Sequence, residues 1–189
     1  MKLLKIFLII FFSFIFWAKA EDIADFKIEG IGLEDSLLNF FDENLITTSK
    51  RDFYKDDEFL VSLLPTLKSD SIYEYIQVHY KKNDNKYIVK AIDGLIDVDI
   101  QKCLKMQREV VDDISVTFSS TKRNGPSKIK HSADTTGKST ITQYEWRFNK
   151  GNIHVVCYDF VEPMIYPDGL NVSIVSKDVT KWLNTKAYK

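Results

Sequence analysis

The sequence predicts an α+β domain: a five-stranded antiparallel sheet packed on one main helix, preceded by a short N-terminal strand and helix. Three observations predict it. Residues 72–92 and 140–161 each alternate apolar and polar side chains on either side of a polar turn, the pattern of a β-hairpin. Residues 99–118 between them repeat apolar residues at spacings of three and four, the pattern of an amphipathic helix. Residues 170–174 alternate again before a closing helix, so the order is ββ-α-βββ-α.

The chain opens with MKLLKIFLIIFFSFIFWAKA. Lys2 and Lys5 precede an apolar run from Ile6 to Trp17, and Ala18-Lys19-Ala20 gives a small-x-small ending. Residues 1–20 therefore read as a signal peptide cleaved after Ala20, and residues 21–189 as one domain. The run is shorter than the roughly 20 apolar residues of a spanning helix, so no membrane span is expected after cleavage. The expected location is the periplasm or the exterior. The abundance of Lys, Ile, Asp and Asn suits a bacterial chain.

Loss of Lys2, Lys5 and Lys19 reduces the 26 Lys and Arg to 23 against 27 Asp and Glu, a net charge of −4. That balance offers no basic face for nucleic acid, which is excluded as a partner. Cys103 and Cys157 are the two cysteines. In an oxidising compartment an even count favours a disulfide.

In the mature chain, Phe26 and Ile28 alternate as a short strand that Gly30 and Gly32 break. Leu33, Leu37, Phe40 and Phe41 follow at helical spacing. Residues 47–58 read as a loop. Residues 59–65 are ambiguous between a strand and a helical turn, ending at Pro65.

A two-residue turn at Asp84-Asn85 pairs Val78 with Ala91 and Tyr80 with Val89, leaving His79 opposite Lys90 on the other face. In the helix, Asp97 or Asp99 caps the start, and Ile100, Cys103, Leu104, Val111, Ile114 and Phe118 form the apolar face. A turn at Lys150-Gly151 pairs Phe148 with Ile153, Trp146 with Val155 and Tyr144 with Cys157. Both cysteines then point into the helix–sheet interior, which is the geometric reason to expect the bridge. Leu170, Val172 and Ile174 face inward from the last strand, and Val179, Trp182 and Leu183 from the closing helix.

Residues 119–140 are polar, with five Lys or Arg against one Asp, and read as a long basic loop. Lys122, Arg123, Lys128, Lys130 and Lys138 are its candidate anion-binding groups. His79, Lys90, Arg147 and His154 are the candidates for a polar sheet face. No HxH, HxxxH or HxxE spacing occurs, so no metal site and no cofactor are expected. Asp93, Asp97 and Asp99 lack the ligand alternation of a calcium loop.

Ser132 to Ser139 imitates the end of a phosphate-binding loop. Its first glycine is replaced by Ser132, and a strand follows where a helix should present its N-terminus. Nucleotide binding is therefore excluded. No GxSxG elbow occurs, and no catalytic residue is assigned. The sequon Asn171-Val-Ser173 lies inside a strand.

IEGIGLEDSLLNFF at 28–41, the hairpin YEYIQVHYKKNDNKYIVKAIDG at 73–94 and the Cys103 helix together resemble a group of small exported bacterial proteins with no assigned activity. That resemblance implies export and nothing about chemistry. The element order is similar to profilin-like and longin-like folds, which confers no function. The expectation is a non-enzymatic binding or scaffolding module of the cell envelope. Its partner would be an envelope protein or an anionic envelope component, met through the open sheet face or the basic loop. The alternative is an envelope glycan or peptide hydrolase using a carboxylate such as Asp93 or Glu145 beside a histidine.

Overall fold

The computed structural model describes residues 22–131, 134–161, 164 and 167–189. The expected signal peptide lies outside these residues. Eight strands form one antiparallel sheet: β1 (Lys50–Arg51), β2 (Phe59–Pro65), β3 (Tyr75–Lys81), β4 (Val89–Asp97), β5 (Arg123–Lys130), β6 (Thr140–Arg147), β7 (Gly151–Asp159) and β8 (Gly169–Ser176). Their spatial order is β1-β2-β3-β4-β8-β7-β6-β5. Two four-stranded meanders thus meet at β4 and β8, joined by helix α2 (Ile100–Thr117). Helix α1 (Glu43–Thr48) precedes β1, and α3 (Lys177–Thr185) follows β8.

The expected five-stranded sheet is corrected by this topology. β3, β4, β6, β7 and β8 are the strands that alternation reveals. β1, β2 and β5 extend the sheet at its two edges. β5 occupies the expected basic loop. It is polar because it is an edge strand bonded only to β6, so its side chains gain little by burial. The expected N-terminal strand and helix are also replaced, by two single-turn 3-10 segments at Ile23–Asp25 and Leu37–Asn39 and by α1. Glu29 and Gly30 both have positive φ and close a tight turn between Ile28 and Ile31.

α2 matches its expected bounds. The Asp99 carboxylate caps it, accepting from the backbone N–H groups of Gln101 and Lys102. Its buried stripe is Cys103, Gln107, Val111 and Ile114, packed mainly on β7 and β8. Cys103 and Cys157 are fully buried and lie at disulfide distance, with Cα atoms 5.9 Å apart. Gln107 sits in the same stripe and donates from Nε2 to the carbonyls of Thr142 and Val155, at 2.7 and 3.0 Å. The N-terminal segment contributes Ile23, Ile28, Ile31, Leu37 and Ile46 to the same core. Among the described residues no helix is long and apolar enough to cross a membrane.

Both hairpins form, with registers different from those expected. Trp146 pairs with Ile153, Tyr144 with Val155 and Thr142 with Cys157. This is a slip of two positions, so every side chain keeps its face. In the first hairpin Tyr80 pairs with Val89 as expected, but the register then shifts, and His79 faces Ala91 and Val78 faces Ile92. Lys90 is the extra residue of that bulge.

The bulge reverses the facing of the rest of β4. Val89 and Ile92 point to the α2 side; Ala91, Asp93, Leu95 and Asp97 point to the opposite side. α3 covers part of that opposite side, where Val179 and Trp182 bury Phe59, Ala91 and Val175. That face is therefore partly roofed and is not the open polar surface the alternation implied.

Candidate functional site

The roofed face holds a row of polar side chains set by register. Gln77, Asp93, Ser173, His154 and Glu145 lie opposite one another on β3, β4, β8, β7 and β6. Two residues along, on the same face, Asn171 on β8 and His79 on β3 approach the same carboxylate. Asn171 Nδ2 donates to Asp93 Oδ1 at 3.3 Å, and Gln77 Nε2 donates to Oδ2 at 3.5 Å. His79 Nδ1 is 3.9 Å from Oδ2, beyond hydrogen-bond reach. The Tyr54 hydroxyl lies 3.3 Å from His79 Nε2.

Burial governs the chemistry here. Asp93 is 7% exposed and His79 3%. Burial pushes the Asp93 carboxyl up to about 7, against the opposing pull of hydrogen bonds from Asn171, Gln77 and Ser173. Burial pushes the His79 imidazole down to about 4. The 3.9 Å contact is therefore not an ion pair at neutral pH, because His79 is uncharged. Burial also raises the hydroxyls of Tyr54 and Tyr158, with Asp93 adding to both.

An inner pocket of about 160 Å³ opens onto His79, Asp93, Asn171 and Gln77, with Val179 and Leu183 of α3 on its other side. It adjoins an outer cleft of about 430 Å³, and the two share Tyr54, Gln77, Tyr158, Asn171 and Tyr188 as walls. Aromatic rings dominate the outer cleft: Phe53, Tyr54, Tyr75, Tyr158, Phe160 and Tyr188. Tyr158 and Phe160 stack in parallel, with centroids 5.3 Å apart, and the His131 ring meets both edge-on. Tyr75 donates to Asp97 at the rim. Two buried polar atoms in this region, Asn171 Oδ1 and His79 Nδ1, have no hydrogen-bond partner among the described residues.

The sequence-derived candidates divide. His79 belongs to the site, buried where a surface histidine was expected. Lys90 does not: as the bulged residue it turns to the N-terminal segment, where its ammonium binds both oxygens of Glu34. Arg147 is exposed and bound to Glu145. His154 shares the face with His79 but lies three strand spacings away, roughly 14 Å. Lys122, Arg123, Lys128, Lys130 and Lys138 are all exposed along β5 and its flanks, where Arg123 stacks over the Tyr144 ring.

The phosphate-loop imitation, of which residues 134–139 are described, folds around Asp134. Its carboxylate accepts from the backbone N–H groups of Thr136, Lys138 and Ser139, and these bonds lower its pKa. The N–H groups a phosphate would need are already occupied. Among the described residues no group of three or more His, Cys, Asp or Glu could hold a metal ion.

Sequence pattern does not assign Asn171, Gln77, Tyr54 or Tyr158 to a site, and it offers Asp93 only as a carboxylate that could act beside a histidine. The signal available was a carboxylate inside the otherwise apolar strand run KAIDGLI. No family model, no curated protein and no solved structure matches the chain.

Proposed function

We propose that this chain is an exported, non-enzymatic binding domain that holds a small organic molecule in the aromatic cleft on the sheet face beside α3. One observation supports it most: an aromatic-walled cleft that continues into a buried polar pocket. A concave, largely apolar site with a few convergent polar groups is the usual form of a small-molecule site. The rings supply contact area, and Asp93, Asn171 and His79 fix orientation. Export fits the leader-like first twenty residues and the Cys103–Cys157 pair.

A second reading, an acid–base enzyme acting on envelope material, is favoured by Asp93 alone. A carboxyl raised to about 7 divides between acid and base at neutral pH.

Leu95 lines the outer cleft, so Leu95→Trp fills it. Wild-type protein incubated with a small-molecule extract of the envelope is expected to show a ligand adduct by native mass spectrometry, and the variant is expected to lose it. No adduct on the wild type, or equal adducts on both, overturns the cleft reading. Recovery of the ligand unaltered supports binding. Recovery of it chemically changed, in a manner abolished by Asp93→Asn, establishes the enzymatic reading instead.

A further inference from the structure

Every charged side chain that the two cavities present is an acid: Asp93 in the inner pocket and Asp97 at the rim. Among the described residues no lysine or arginine lines either cavity. Unused accepting capacity surrounds the Asp93 carboxylate in the inner pocket. Asn171 spends its amide N–H on Asp93 and leaves Oδ1 without a partner. Asp93 accepts one amide on each oxygen and a further hydrogen bond from Ser173, where a carboxylate offers about four lone-pair sites. His79 Nδ1 is a further acceptor in the tautomer whose Nε2–H faces the Tyr54 hydroxyl. A buried acceptor without a donor is costly, so the pocket is complementary to a group that only donates. A primary ammonium is such a group, with three donors, no acceptor and a positive charge. The ring faces of the outer cleft suit its apolar tail, and they attract cations as well.

We propose that the inner pocket binds the primary ammonium of an organic amine, held by Asp93, Asn171 Oδ1 and His79, with the amine's apolar tail lying among the rings of the outer cleft. This rests on the reading of the cleft as a ligand site. It adds the chemical class of the ligand and disfavours the anionic envelope component, since an anion would meet a carboxylate with no cation to offset it.

The test uses protein expressed with its own leader and titrated at pH 8, where Asp93 is ionised and an alkylamine remains protonated. Four probes share one tail: 2-phenylethylammonium, its N,N,N-trimethyl derivative, the uncharged 2-phenylethanol and the anionic 3-phenylpropanoate. Trp182, 4.8 Å by ring centroid from Tyr54, is the fluorescent reporter. The primary ammonium is expected to bind at least about tenfold more tightly than the alcohol, the value of one charge-assisted hydrogen bond. It should exceed the trimethyl form, which has no N–H, by a similar factor, and propanoate should not compete. Asp93→Asn, nearly the same shape, should bring ammonium and alcohol within about threefold of each other.

An alcohol or propanoate that binds as tightly as the ammonium overturns the ammonium assignment while leaving the cleft reading intact. An ammonium preference that survives in a folded Asp93→Asn does the same. A trimethyl derivative that equals the primary amine replaces the donor argument with a purely aromatic cation site. Failure of all four probes overturns the assignment, and if the envelope extract also gives no adduct the cleft reading falls with it. The wild-type selectivities decide the matter even if Asp93→Asn does not fold.

Discussion

Replacing Cys103 and Cys157 together with alanine is expected to lower the unfolding free energy by about 4 kcal/mol, the chain-entropy value for a loop of this length. The two residues are 54 apart in sequence, and both are fully buried where α2 crosses β7. The bridge joins the first turn of α2 to β7, an interior strand of the sheet. Without it the unfolded chain regains the freedom of most of the second meander. Urea denaturation of the oxidised protein and the double variant measures the difference. A change below about 1 kcal/mol would mean that the bridge closes a loop already restricted in the unfolded chain.

The second large effect is a cancellation of two titrations. The Asp93 carboxyl is raised from 3.8 to about 7 in the folded state, so the folded protein keeps a proton that the unfolded chain releases. On its own, Asp93 makes stability fall as pH rises between about 4 and 7. The His79 imidazole is lowered from 6.5 to about 4, so the unfolded chain gains a proton that the folded protein refuses. On its own, His79 makes stability rise with pH from about 4 to 6.5. Across that shared window each state holds one proton, on Asp93 when folded and on His79 when unfolded. The pair therefore gives the wild type almost no slope.

Single substitutions expose the opposing halves. Asp93→Asn should lose about 3 kcal/mol of stability from His79 as pH falls from 6.5 to 4, with His131 and His154, which burial also lowers, acting in the same direction. His79→Gln should lose up to about 4 kcal/mol as pH rises from 4 to 7, because His79 no longer offsets Asp93 and only the smaller opposing contributions of His131 and His154 remain. Urea midpoints across this range check both slopes. Slopes of the same sign in the two variants, or a flat Asp93→Asn, would contradict the proton arrangement and point instead to a charged His79–Asp93 pair.

The central hairpins and α2 were legible because burial acts on one face only, and one-faced burial leaves a period in the sequence. The register of the second hairpin was misplaced by two, yet Cys157 still faced Cys103, because an even slip preserves facing. One inserted residue, Lys90, had the opposite consequence. Regular pairing would place Asp93 on the α2 side; the bulge places it beside His79 and Asn171. No pattern in β4 announces that bulge, so the pocket could not be assembled from the strands that form it.

The edges were illegible for a different reason. β5 gains little from burial and carries Gly125-Pro126 in its interior, so neither hydrophobic alternation nor composition marks it as a strand. The N-terminal segment buries Ile23, Ile28, Ile31 and Leu37 through turns that have no period at all. Tyr54 and Tyr188, which wall the cleft, come from a polar loop and from the residues after α3. Tyr54 packs against the Trp182 ring and Tyr188 against Tyr54, and neither contact is a local property.

The central claim is that the cleft over Asp93 is where this protein meets its ligand. The most direct measurement is amide chemical-shift mapping of the ¹⁵N-labelled protein during titration with 2-phenylethylammonium, or with whichever envelope molecule forms the adduct. Saturable shifts are expected at Gln77, Asp93, Leu95, Tyr158 and Asn171, with little change at Gln107 or along β5. Shifts concentrated on β5 or on the exposed side of α2, with the cleft residues unmoved at saturation, would contradict it.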